Sequence, residues 1–111
     1  MIEKIILDYL ADNGFAAYME LPTPIPDGEF LVIEKTGSSL TNYIYSAMIA
    51  IQSYADSMYE AAELNERVKT VMADAVALDD ITKVDLNSDY NYTDTANKRY
   101  RYQAVFDITH Y

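Results

Sequence analysis

Apolar and polar positions change rhythm several times along this 111-residue chain, and each change marks an element. Ile2, Ile5, Ile6, Tyr9 and Leu10 share one helical face between Ile2 and Asp12, and Gly14 can end that helix in the left-handed conformation. Phe15 to Leu21 (FAAYMEL) predicts a strand. Pro22, Pro24 and Pro26 then remove three backbone donors and fix an extended spacer, closed by the Asp27-Gly28 turn signal. Glu29 to Thr36 predicts a second strand, Gly37-Ser38-Ser39 the turn or loop tip, and Asn42 to Tyr54 a third strand. Ser57 with Glu60 fits a capping box, with Asp56 as an alternative cap. Ala61, Leu64, Val68, Val71, Ala75 and Leu78 then form one stripe of a helix predicted over 57–78, about 30 Å long. Two alternating segments close the chain, Asp80 to Asn91 and Arg99 to Tyr111, joined by the polar TDTANK and read as a hairpin with one dry face.

Charge helps choose the register of that hairpin. Pairing Tyr92 with Tyr100 matches the apolar sides but sets Asp85 against Asp107, which costs stability. Sliding by two residues keeps the same face inward and sets Lys83 opposite Asp107, Asp89 opposite Arg101, Tyr90 opposite Tyr100 and Val84 opposite Phe106. The second alignment is the expected one.

The third strand differs from the others. From Ile44 to Gln52 (IYSAMIAIQ) neither face is polar enough to meet water, whereas a strand with one wet face should alternate. One long helix and one short helix offer little material to shield both faces of a sheet, so a partner surface is expected here. The predicted architecture is a single α+β domain over 1–111, in the order α-β-β-β-α-β-β. Its mixed or antiparallel sheet of four to five strands is packed by the long helix, with the short N-terminal helix at one edge.

Half of the residues are hydrophobic, so the chain should fold, at a size that buries roughly two thirds of its unfolded surface. There is no cysteine, which excludes disulfides, thiol nucleophiles and thiolate metal sites. Eighteen acids against eight bases give a net charge of −10, which repels nucleic acid; solubility is its ordinary role, and it would also suit a wall that DNA slides past. Eleven tyrosines suit half-buried strand and interface positions. The opening MIEKIILDYLADNG is neither a secretion signal nor a span, so a soluble protein made in the cytoplasm, with no membrane partner, is expected.

Candidate chemistry is sparse. The one histidine, His110, has no partners for a triad or a His-rich metal site. Asp85-x-Asn87-x-Asp89-x-Asn91 lacks the glycine and the glutamate of a calcium loop, since Tyr90 and Ala96 stand at those positions. The three glycines are scattered, so no phosphate-binding loop is present. The sequence therefore predicts neither an enzyme nor a cofactor or metal site.

Three segments carry a family resemblance: LPTPIPDGEFLVIEKTG (Leu21 to Gly37), AIQSYADSMYEAAELNERV (Ala50 to Val68) and RYQAVFDITHY (Arg101 to Tyr111). Their order resembles the tail terminator, or tail completion, proteins of long-tailed bacteriophages and prophages. The matching motifs are Glu34, Thr36 and Gly37 after a proline-flanked strand; Gln52, Ser53, Tyr54 and Ala55 before a long helix; and Arg101, Tyr102 and Gln103 opening the last strand. Ser38 stands where the family often has a second glycine, and Tyr54 where it often has tryptophan.

The resemblance implies a structural subunit without a reaction, assembling as a six-membered ring on the tail tube in the virion tail. The ring would end tube polymerisation and present a surface to the head-completion or connector protein, with DNA only as passing cargo. The expected subunit interface is Tyr43, Tyr45, Ser46 and Met48, and the expected tube or lumen loop is Gly37, Ser38, Ser39 and Thr41. The alternative is a small α+β protein-protein adaptor that forms no ring.

Overall fold

The computed structural model describes residues 1–96 and 99–111, so Asn97 and Lys98 of the expected polar loop lie outside the described residues. The order is α1 (Ile2–Asp12), β1 (Ala17–Tyr18), β2 (Phe30–Thr41), β3 (Ile44–Ala55), α2 (Met58–Ala73), a 3₁₀ turn (Asp74–Ala77), β4 (Ile81–Asn91) and β5 (Tyr100–His110). The strands form one mixed sheet in spatial order β1-β2-β3-β5-β4, with β1 parallel to β2 and the other neighbours antiparallel. The α+β class and element order expected from sequence are those observed.

Local chemistry sets the helix ends. Gly14, at φ +90°, lets its own amide reach Ala11 O at 3.0 Å and the Phe15 amide reach Leu10 O at 3.1 Å. These two bonds satisfy the orphan carbonyls of α1 in the Schellman pattern, and Phe15 turns back onto the core. At the start of α2, Ser57 Oγ accepts from the Glu60 amide at 3.1 Å. The α-helix stops at Ala73 rather than reaching Leu78. There the Leu78 amide bonds to Ala75 O, three residues back, which tightens the last turn and tucks Ala75 into the core.

The first strand is shorter than its composition suggests. Only Ala17 and Tyr18 pair, with Leu31 and Val32, and the chain leaves the sheet at Met19, before the first proline. The β2–β3 hairpin is longer. Gly37, Ser38, Ser39 and Thr41 are strand residues, which corrects the loop expected there. Thr36 forms a bulge, and the turn falls instead on Asn42 and Tyr43, at φ 51° and 66°, the positive pair a two-residue hairpin turn needs.

The β4–β5 register also differs from the expected one. Asp85 lies opposite Asp107, Val84 opposite Ile108, Leu86 opposite Phe106 and Lys83 opposite Thr109. This alignment draws Ile81 into the core with Ala75 and Ile108, a gain larger than the cost of one exposed like-charge pair. Bulges at Thr82 and Asn87 adjust the rest, and the second moves Tyr90 from the helix side to the opposite face.

Both helices lie on one face of the sheet. Leu31 and Ile33, Ala47, Ile49 and Ile51, and Ala104, Phe106 and Ile108 meet Ile6, Leu10, Leu64, Val68 and Met72 there. On the other face, among the described residues, Phe30, Val32 and Tyr54 form a small cluster, capped by Ile25 from the proline spacer. Among the described residues no helix is long and apolar enough to cross a membrane.

Candidate functional site

The apolar third strand divides into two halves. Ile49, Ala50 and Ile51 are buried within the fold, whereas Ile44, Tyr45 and Met48 are exposed. The exposed half belongs to the arm, the far end of the β2–β3 hairpin, where β2 runs beyond β1, whose pairing ends at Val32. There β3 stays paired with β5 as far as Tyr45–His110, so that only the turn from Thr41 to Ile44 extends past the sheet. Every residue from Glu34 to Tyr45 is exposed, and from Thr36 to Ala55 the sequence contains no charge. Leu40, Tyr43, Ile44, Tyr45 and Met48 therefore place large apolar groups on a neutral part of an acidic protein.

The four expected interface residues are brought onto this arm, but not onto one face. Tyr45 pairs with Leu40 on the helix side, where its ring stacks on His110 at 5.6 Å. Ser46 and Met48 point to the opposite side, beside Thr109 and Asp107. Tyr43 is in the turn and 96% exposed. The residues expected as a loop (Gly37, Ser38, Ser39, Thr41) run along the outer edge of the same arm, where β2 has no strand partner. Such an edge, without proline or charge from Thr36 to Thr41, is open to strand addition.

A second constellation lies on the face away from the helices. Arg101 Nη1 donates to Tyr54 Oη at 2.9 Å, and Nε donates to the Tyr92 carbonyl at 2.6 Å. The guanidinium sits 4.4 Å from the Tyr92 ring centroid and 5.7 Å from that of Tyr54. Tyr54 donates to Gln52 Oε1, Gln52 Nε2 to Gln103 Oε1, and Gln103 Nε2 to Tyr90 Oη. Tyr90 meets Tyr92 edge to face at 5.9 Å, which closes the circuit, and Phe30 stacks on Tyr54 at 4.7 Å. Sequence reasoning missed this group because the bulge at Asn87, which brings Tyr90 here, has no local signature. The available signal was the pair of glutamines, Gln52 and Gln103, in the middle of two neighbouring strands.

Charged groups elsewhere mainly fasten the fold. Lys69 Nζ bridges Glu66 at 2.8 Å and Asp89 at 3.0 Å, and Asn65 Nδ2 donates to the same Asp89 oxygen, tying β4 to α2. Hydrogen bonds to Glu66 and then Asp89 raise the Lys69 pKa, against the opposing effect of desolvation. Tyr9 donates to Val71 O at 2.7 Å, and burial first, then Asp74, raises its pKa. Among the described residues no three His, Cys, Asp or Glu side chains gather to hold a metal ion. Neither a family model nor a curated protein matches this chain.

Proposed function

We propose that this chain is the ring-forming subunit that caps the tail tube of a long-tailed phage or prophage, ending tube polymerisation and offering the head-completion protein its surface. The reading rests on the resemblance carried by Glu34-x-Thr36-Gly37, Gln52-Ser53-Tyr54-Ala55 and Arg101-Tyr102-Gln103. The observation that supports it most is the charge-free run from Thr36 to Met48, which leaves Leu40, Tyr43, Ile44, Tyr45 and Met48 exposed. A head-to-tail ring needs two different patches per subunit, and these exposed apolar groups with the unpaired outer edge of β2 beside them supply one of them. The acid surplus suits a lumen that passes DNA without holding it. In this reading the chain works in the virion tail, carries out no reaction, and meets DNA only as cargo.

Electron microscopy of particles made without this chain tests the reading. Tails of uncontrolled length, or tails that cannot join heads, are expected. Normal infectious particles overturn it. A chain that stays monomeric even when mixed with tail tubes favours the adaptor role instead.

A further inference from the structure

The sheet face opposite the helices carries opposite charges at the two ends of one strand. Along β5, Arg101, Gln103, Val105 and Asp107 point to that face, alternating with the core residues Tyr102, Ala104, Phe106 and Ile108. Tyr54 and Tyr92 flank Arg101, while Met48 and Asp85 flank Asp107. Lys4, Lys35, Arg67, Lys69 and Lys83 each pair with a carboxylate, but among the described residues no carboxylate pairs with Arg99 or Arg101 and no base with Asp107. Of these two arginines only Arg101 lies within β5, on the sheet face away from the helices. It is also held ready: two hydrogen bonds and the Tyr92 ring fix the guanidinium, and its Nη2 makes no hydrogen bond to a described residue. Asp107 is fixed through one oxygen by Asn87 Nδ2 at 3.0 Å.

We infer that this face docks a second copy of the chain about a two-fold axis that crosses the strands at Ala104. That rotation keeps β3 over β3 and β4 over β4 while reversing strand direction. It lays Asp107 of each copy on Arg101 of the other, Met48 on Tyr54, and Asp85 beside Tyr92. The alternative axis, parallel to the strands, stacks arginine on arginine and aspartate on aspartate, so charge selects the first. Each interface then contains the same guanidinium–carboxylate contact twice, as a self-complementary patch must. Gln103, Val105, Ala50 and Tyr54 are already nearly buried within the monomer, so the contact falls on Met48, Asp85, Tyr92, Arg101 and Asp107 around them. Fixing the guanidinium in advance lowers the ordering cost of the contact. Sheets meeting this way pack with their strands about 30° apart.

This pairing does not depend on the ring reading and shares only Met48 with the arm, using none of Leu40, Tyr43 or Tyr45. Sedimentation velocity on the full chain, in a Leu40→Ser/Tyr43→Ser background that disables the arm, tests it alone. A dimer is expected there. Adding Arg101→Asp or Asp107→Arg singly converts it to monomer, and mixing the two single variants in equal amounts restores the dimer, since each then meets its opposite charge. A monomer before either charge is changed, a dimer that survives either variant, or a mixture that stays monomeric overturns the inference. Should Arg101→Asp fail to fold by circular dichroism, Asp107→Arg decides by itself: its dimer must dissociate.

Discussion

Asp85 stands directly opposite Asp107 across the β4–β5 pair, and the repulsion is relieved from within β4. Lys83, two residues before Asp85, reaches its carboxylate at 3.3 Å, and Asn87, two residues after, donates to Asp107 at 3.0 Å. Same-strand neighbours thus do what a cross-strand partner was expected to do. The register is set by Ile81, Val84 and Leu86 meeting the core side of β5, and charge adjusts to it.

The residual repulsion is measurable. Asp85→Asn keeps the side-chain shape and removes one charge, and stabilises the fold by about 0.5 kcal/mol. Urea unfolding in low salt reads the gain as a higher midpoint with an unchanged slope, and added salt shrinks the difference. A midpoint that falls shows that the Lys83–Asp85 contact outweighs the repulsion.

Features written locally were legible in the sequence. The α1 stripe with Gly14 behind it, the Ser57 cap and the alternation of β5 each depend on neighbours within a few residues, and the structure keeps all three. Features that depend on an extra residue in a strand were not. Bulges at Thr36, Thr82 and Asn87 shift pairing without an unusual residue to announce them, although each sends a side-chain hydrogen bond across to the partner strand. Gly37 attracted the turn assignment because glycine is the commonest turn residue, yet its backbone is not left-handed and Asn42-Tyr43 makes the turn. Of the candidate site, the charge-free run showed that an apolar surface exists. Which face each residue takes followed from pairing, as did the Arg101 circuit.

The cap at α2 carries a separate expectation. Ser57→Ala leaves the Glu60 amide without its side-chain acceptor and costs about 1 kcal/mol. Ser57→Asp restores the acceptor and recovers most of the loss. Equal denaturation midpoints for Ser57→Ala and the wild type would show that water replaces the hydroxyl at no cost.

Alkaline pH tests the contacts between the helices and the sheet. The pKa values of Tyr9 and Lys69 both lie above their ordinary 10.0 and 10.5. Protonation of each is therefore favoured by folding. Their contribution is fully present below the ordinary values and is lost as pH rises through the higher folded ones. A phenolate at Tyr9 can no longer donate to Val71 O, and neutral Lys69 no longer bridges Glu66 and Asp89. The contribution of these two groups should be level through neutral pH and fall as the pH rises past their ordinary values. Tyr9→Phe lowers the neutral plateau by about 1 kcal/mol and flattens that fall. An unchanged alkaline slope in Tyr9→Phe removes Tyr9 from the account.

The turn at the tip of the arm separates stability from assembly. Tyr43 holds φ at 66°, a left-handed value that a bulky side chain adopts at a cost, while its ring is almost wholly exposed. Tyr43→Gly should therefore stabilise the monomer by about 1 kcal/mol, because glycine adopts this conformation without the steric penalty. Under the ring reading the same change removes the most prominent apolar group of the arm, and capping of tail tubes weakens while thermal stability rises. Leu40→Lys, which puts the first charge into the run after Thr36 at an exposed position, should change stability by less than about 0.5 kcal/mol and weaken capping as strongly. Denaturation and tube-capping measured on the same two variants read the two quantities separately. Full capping by both variants would show that the arm is a passive extension of the sheet and would leave its exposed aromatic and aliphatic groups without a role in assembly.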